Sequence, residues 1–181
     1  MPGQSRIGVV VVGALLALAL PAAVVGGAGG ALHASAELKD VAGDVVGWAR
    51  FTEDANGILH VNVHVRGLTP GLHGTHIHAA GSCGSAFADA KGHHSLVGQV
   101  HGLDDPPGAH AGDLPNLVVN GAGMGHLNAT SDRATVSAGP VTIFDADGSA
   151  LIIHADEDDQ EGTSATGNSG GRVACGIIVP G

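Results

Sequence analysis

Tyrosine is absent from the 181 residues, and the remaining aromatics are three Phe and one Trp. So few rings cannot line a large stacking pocket for bases or a flavin. Positive charge is also scarce: seven Lys+Arg face 17 Asp+Glu, a formal net charge of −10. A chain this acidic has little with which to neutralise phosphates, which argues against nucleic-acid binding. Two cysteines allow one disulfide and exclude a Cys-rich scaffold or a zinc ribbon. The length suits one domain with a proper core. What is abundant is histidine, 12 residues, more than all the fixed cations together. Histidine is the commonest metal ligand and titrates near neutral pH, so metal or proton handling is the first expectation.

The N-terminus reads as a leader. Arg6 is its only charge, Ile7 to Leu20 is an almost unbroken apolar run, and Pro21 and a small-residue stretch follow. This pattern describes a secretory signal over residues 1–34, with residues 35–181 as the exported domain; Leu32-His33-Ala34 and Ala34-Ser35-Ala36 are both cleavage contexts. The alternative is an uncleaved anchor over Ile7 to Val25, barely long enough to span a bilayer and weakened by Pro21. Cleavage leaves no stable membrane span. Either way the domain is exported, secreted or held in the cell envelope or periplasmic space, where a disulfide persists.

Beyond the leader, short apolar runs alternate with turn signals, and no segment has a helical period. Val45 to Phe51 precedes a hairpin turn at Glu53–Gly57. Leu59, Val61, Val63 and Val65 then alternate with His60, Asn62, His64 and Arg66, the period of a half-buried strand with His60 and His64 on its solvent side. Further strands are expected at Thr75–Ala79, Leu117–Val119, Met124–Thr130, Val141–Asp145, Ser149–His154 and Val173–Val179. Ala80–Asn116 and Ala155–Arg172 are too long for hairpin loops, and long loops in a β domain usually carry function.

His76 and His78, at i and i+2 of one strand, face the same side and can reach one metal. The first long loop adds His93, His101, His110 and Asp113, and a later strand ends at His154. Nitrogen-rich sets suit copper or zinc, three His with one Asp suit tetrahedral zinc, and magnesium or calcium fit poorly.

At these residues the sequence resembles the Cu,Zn superoxide dismutase family, in its bacterial, exported type. Gly71-Leu72-His73-Gly74-Thr75-His76-Ile77-His78 looks like the family's copper-strand motif. Gly112-Asp113-Leu114-Pro115-Asn116 and Gly167-Asn168-Ser169-Gly170-Gly171-Arg172-Val173-Ala174-Cys175-Gly176 resemble two further motifs, in order. The intervals from His93 to His101, to His110, to Asp113 are 8, 9 and 3, the family spacing. The resemblance covers roughly residues 35–179.

It implies an all-β fold, an eight-stranded antiparallel Greek-key β-sandwich or barrel, immunoglobulin-like, with two long functional loops. It implies copper on His76, His78, His93 and His154, and zinc on His93, His101, His110 and Asp113, with His93 bridging. The implied activity is dismutation of superoxide to dioxygen and hydrogen peroxide by alternating copper reduction and reoxidation. Arg172 would attract the small anion, Asp158 would tie His76 to His101, and Cys83 and Cys175 would form the disulfide. The competing reading is an exported copper/zinc-binding protein without turnover. Monomer or homodimer stays open. The sequence departs from the family pattern at His94-Ser95-Leu96 and Thr75, and its second loop carries no Lys or Arg.

Overall fold

Leu59, Val61, Val63 and Val65 point inward from one strand and are buried, while His60 and His64 on the same strand are exposed. The same alternation builds most of the molecule. The structure is a computed structural model and describes residues 32–104 and 108–181. Most of the expected leader, up to position 31, lies outside the described residues.

The strands are β1 (Leu32–Asp40), β2 (Val45–Glu53), β3 (Leu59–Arg66), β4 (Gly71–His78), β5 (Asp113–Val119), β6 (Met124–Ser131), β7 (Ala150–His154), β8 (Arg172–Ile177) and a short β9 (Val179–Pro180). They pair antiparallel in the order β2-β3-β6-β5-β4-β7-β8-β1, and β1 pairs back to β2, closing an eight-stranded barrel. The two-residue β9 sits on β1. The connections β3–β4 and β6–β7 join strands that are not neighbours, the Greek-key crossings the family resemblance implied. Closure removes every long free edge.

Phe51, Leu38, Leu59, Leu117, Leu127, Leu151 and Ile153 fill the interior. Each such side chain contributes about 1.5–3 kcal/mol by leaving water. A smaller cluster of Phe87, Ala90, Ala150, Ile152 and Cys175 packs outside the barrel under the first long loop. Every residue of β7, and of β4 from His73 on, is therefore buried. Ile77 faces the core, while His76 and His78 face outward beneath the loops.

Three strand assignments change. β1 carries no strand signal of its own in the sequence, because its buried Ala34 and Ala36 continue the small residues of the leader. It includes Leu32, His33 and Ala34, which cleavage after Ala34 would remove, and Ala34 pairs with Phe51 and Pro180. Val141–Asp145 is not a strand: Ile143 is buried, but the segment is a turn-rich loop whose Ile143 N donates to Thr135 O. Val173–Val179 is two strands, separated at buried Ile178, whose N–H turns to Ser149 O.

Cys83 and Cys175 form a disulfide across 92 residues, with Cα atoms 5.8 Å apart. It fastens the first long loop to β8. In the chain-entropy model a loop of that length is worth about 4–5 kcal/mol.

Candidate metal centre

Among the described residues, four buried ring nitrogens have no hydrogen-bond partner: His76 Nδ1, His78 Nε2, His93 Nε2 and His154 Nε2. Their residues form one group whose ligand atoms lie within 4.8 Å of one another. β4 supplies the first two, the loop the third, and the end of β7 the fourth. The opposite nitrogen of each ring is engaged. His76 Nε2 bonds Asp158 Oδ2, His78 Nδ1 donates to Lys91 O at 2.9 Å, and His154 Nδ1 donates to Gly170 O at 3.2 Å. Such partners fix ring orientation and tautomer around a metal. Leaving four buried nitrogens unpaired costs about 1–3 kcal/mol each, a cost that a cation among them removes.

His93 turns its other nitrogen to a second group. Asp113 Oδ1 lies 2.8 Å from His93 Nδ1, 3.2 Å from His101 Nδ1 and 3.4 Å from His110 Nδ1, and His110 Nδ1 is 3.3 Å from His93 Nδ1. Atoms bound tetrahedrally to zinc at about 2.0 Å stand about 3.3 Å apart, so this donor set fits zinc. A nitrogen of His76 also comes within 4.8 Å of the ligand atoms of His93, His101 and Asp113. Its Nε2 is taken by Asp158, however, so the donors facing this group are His93, His101, His110 and Asp113. Asp113 Oδ2 accepts from the Gly102 and His110 backbone N–H groups, both at 3.0 Å.

Burial pushes His76 down to about 3, against its bond to Asp158. Burial likewise takes His78 to about 2 and His154 to about 4, with the charge of nearby Arg172 adding to both. These rings are therefore neutral at physiological pH, the form that can take a metal. Burial would lower His101, but hydrogen bonds to Asp113 and Asp158 outweigh it and raise the ring to about 9. Burial would raise the Asp113 and Asp158 carboxyls, yet their histidine partners hold both well below the ordinary carboxylate range.

Asp158 is buried, and its second oxygen lies 3.0 Å from His101 Nε2, so one carboxylate ties the two groups together. Gly167 makes this approach possible: with φ +58°, a Cβ there would fall 2.0 Å from Asp158 Oδ1. Asn116, the last residue of the Gly112–Asn116 motif, has a role the sequence does not disclose. Its amide accepts from Asp158 N and donates to Asp158 O, both at 2.8 Å. No spacing rule reveals such a clamp, because the partners are 42 residues apart.

Arg172 is half-buried, with its guanidinium donating to Phe87 O and Lys91 O. It pairs with His154 across β7 and β8, and its charge acts on His78 and His154 of the first group. His94 is buried, but neither metal group includes it. Its backbone stitches the loop to β4 through Ile77 and to Gly112, each at 2.8 Å. His73 lies beneath the site, its ring nitrogens 2.7 Å from His154 O and 2.8 Å from Thr69 O.

The family model described as copper/zinc superoxide dismutase (SODC) matches residues 45–178. The chain belongs to that family. It is 38% identical over 150 residues to "Superoxide dismutase [Cu-Zn] 2" of Aquifex aeolicus (strain VF5), covering 81% of this chain and 86% of that protein. Among solved structures it resembles a SOD-like protein from Bacillus subtilis at 33% identity and a TM-score of 0.73, covering 80% of this chain and 97% of that one. It also resembles the clock protein EA4 at 32% identity and a TM-score of 0.70, covering 81% and 92%. The family's enzymatic class, superoxide dismutase, is that of this chain, and superoxide is the family's substrate.

Proposed function

We propose that the chain dismutates superoxide with copper held by His76, His78, His93 and His154, and zinc held by His93, His101, His110 and Asp113. The observation that carries this reading is the pair of donor groups sharing one imidazole, with four unpartnered nitrogens in the first. Copper there would supply the one-electron couple that takes one superoxide to dioxygen and a second, with two protons, to hydrogen peroxide, while zinc would supply a redox-inert charge.

The chain's own groups do the rest. Arg172 draws the anion to the mouth of the first group and donates hydrogen bonds to it without losing its charge. His93 Nε2 takes up a proton in the reducing half-cycle and delivers it to the second superoxide. Asp113, held charged by its histidine partners, fixes the ring that does so. Asp158 keeps His76 and His101 in register.

Export belongs to the same reading: a disulfide-bonded domain suits an oxidising compartment. Removal of the leader ahead of Leu32 would keep β1 whole, and N-terminal sequencing of the secreted protein tests that boundary.

The central test is metal analysis and a superoxide assay on the purified protein beside His154→Ala. The expected result is one copper and one zinc per chain with activity, and in the variant loss of copper and activity with zinc retained. Metal-loaded protein that fails to dismutate superoxide would instead support a copper/zinc-binding protein without turnover. An active His154→Ala protein would refute the copper set.

A further inference from the structure

His64 and His126 stand directly opposite each other on β3 and β6, both exposed on the outer face of the barrel, with ring centroids 4.4 Å apart. Trp48 of β2 flanks His64 from the other side, also at 4.4 Å. These rings take no part in the buried centre, and the inward neighbours Val63, Val65 and Leu127 pack the core without them.

The separation of His64 from His126 lies within the range found in the first metal group, where His76 is 3.9 Å from His93 and His93 is 6.4 Å from His154. Among the described residues the His64 ring has no hydrogen-bond partner. His126 Nε2 lies 3.1 Å from the side-chain amide of Asn62, which is 3.2 Å from that of Asn128. Asn62 Nδ2 donates to Asn128 Oδ1 and faces His126 Nε2, which leaves His126 Nδ1 without a hydrogen-bond partner among the described residues. A side-chain amide on one ring nitrogen orients the imidazole so that its other nitrogen faces outward. Met124 lines the same shallow depression as His64 and His126.

We propose that His64 and His126 form a second, surface site for a copper ion, distinct from the buried centre. Among first-row divalent ions imidazole pairs bind Cu2+ most strongly, and a thioether at the rim, Met124, suits Cu+. The formal charge of −10 concentrates cations at the surface. Two protein ligands leave the remaining positions to water, so the ion exchanges readily, which suits capture of copper rather than catalysis.

The test uses the full chain with its buried groups first filled with copper and zinc, then titrated with Cu2+. Trp48 is the chain's single tryptophan and lies beside His64, so its fluorescence reports on the site. One further equivalent of Cu2+ binds and quenches Trp48. His64→Gln and His126→Gln each weaken this binding by about tenfold or more, with dismutase activity and thermal midpoint unchanged. His60→Gln is the control, since the His60 ring is held by Asp54 at 3.2 Å, and it leaves the binding unchanged. The comparison is a difference of one equivalent between proteins, so it reads the same whatever the buried groups hold. Equal stoichiometry and equal quenching in wild type and the His64→Gln/His126→Gln double variant would overturn the proposal and leave a cross-strand Trp–His–His ladder of tilted rings.

Discussion

Asn116 and Asp158 hold each other by two hydrogen bonds of 2.8 Å, side-chain amide to backbone in both directions. Asp158 in turn bonds His76 Nε2 and His101 Nε2. A half-buried amide on β5 thus sets the position of the carboxylate between both donor groups. Asn116→Ala removes both bonds and strands the Asp158 N–H. Stability should fall by about 1–3 kcal/mol, and zinc affinity by about 10–100-fold. Thermal unfolding and competition with a zinc chelator measure the two effects. Unchanged zinc affinity would show that Asp158 holds its place without Asn116.

Much of this centre was legible in the sequence, and the limit is physical. The i, i+2 spacing of His76 and His78 on a strand dictates a shared face, and the 8, 9 and 3 intervals match the family loop. The fold class followed from period-two runs such as Leu59–Val65. Local signals failed where tertiary contacts decide. The Ala34, Ala36 and Leu38 alternation is a strand because β2 pairs with it, yet in isolation it extends a small-residue leader. Ile143 is as buried as any strand residue, but it reaches the core from a loop. The role of His94 is carried by backbone N–H and C=O groups, which every residue possesses.

Proton linkage gives the metal-free protein a lopsided pH profile. His76, His78 and His154 are lowered by burial to about 3, 2 and 4, against about 6.5 in the unfolded chain. Between those values the unfolded chain binds more protons, so stability falls as pH falls from about 6.5 and keeps falling to about 2. The depressed carboxyls of Asp113 and Asp158 steepen the loss below about pH 4. His101 has the opposite sign. Raised to about 9, its contribution is complete below about pH 6.5 and is lost as pH rises through 9. The urea midpoint of metal-free protein should peak near pH 6.5. A flat midpoint between pH 4 and 6.5 would contradict this.

Lys91 has φ +64° and ψ −150°, a region that essentially only glycine enters without cost. The residue is kept there by its carbonyl, which accepts from both His78 and Arg172. Lys91→Gly should release about 1–3 kcal/mol of strain. It loses in exchange only an exposed, solvent-screened ion pair to Asp147. The expected outcome is a net gain in stability near 1 kcal/mol on this scale, read from chemical denaturation of the metal-free protein. A destabilised variant would mean that the loop needs the lysine more than the backbone resents it.

Arg172 stands nearly alone as a cation at the mouth of the site. The second loop, residues 155–171, contains Asp156, Glu157, Asp158, Asp159 and Glu161 and no Lys or Arg. Lys91, on the other loop, is already paired with Asp147 at 2.7 Å. On the proposed function, attraction of the anion therefore rests on one guanidinium and on the charge of the metals the two groups would hold. Arg172→Ala should lower kcat/KM for superoxide by about tenfold or more. Its remaining rate should stay level or rise with added salt, because salt then screens mainly repulsion. Arg172→Lys should fall between, since an ammonium keeps the charge but cannot span Phe87 O and Lys91 O in a fixed fork. Pulse measurements of the rate against ionic strength separate these outcomes. A steep fall with salt in an active Arg172→Ala protein would mean that another cation steers the substrate.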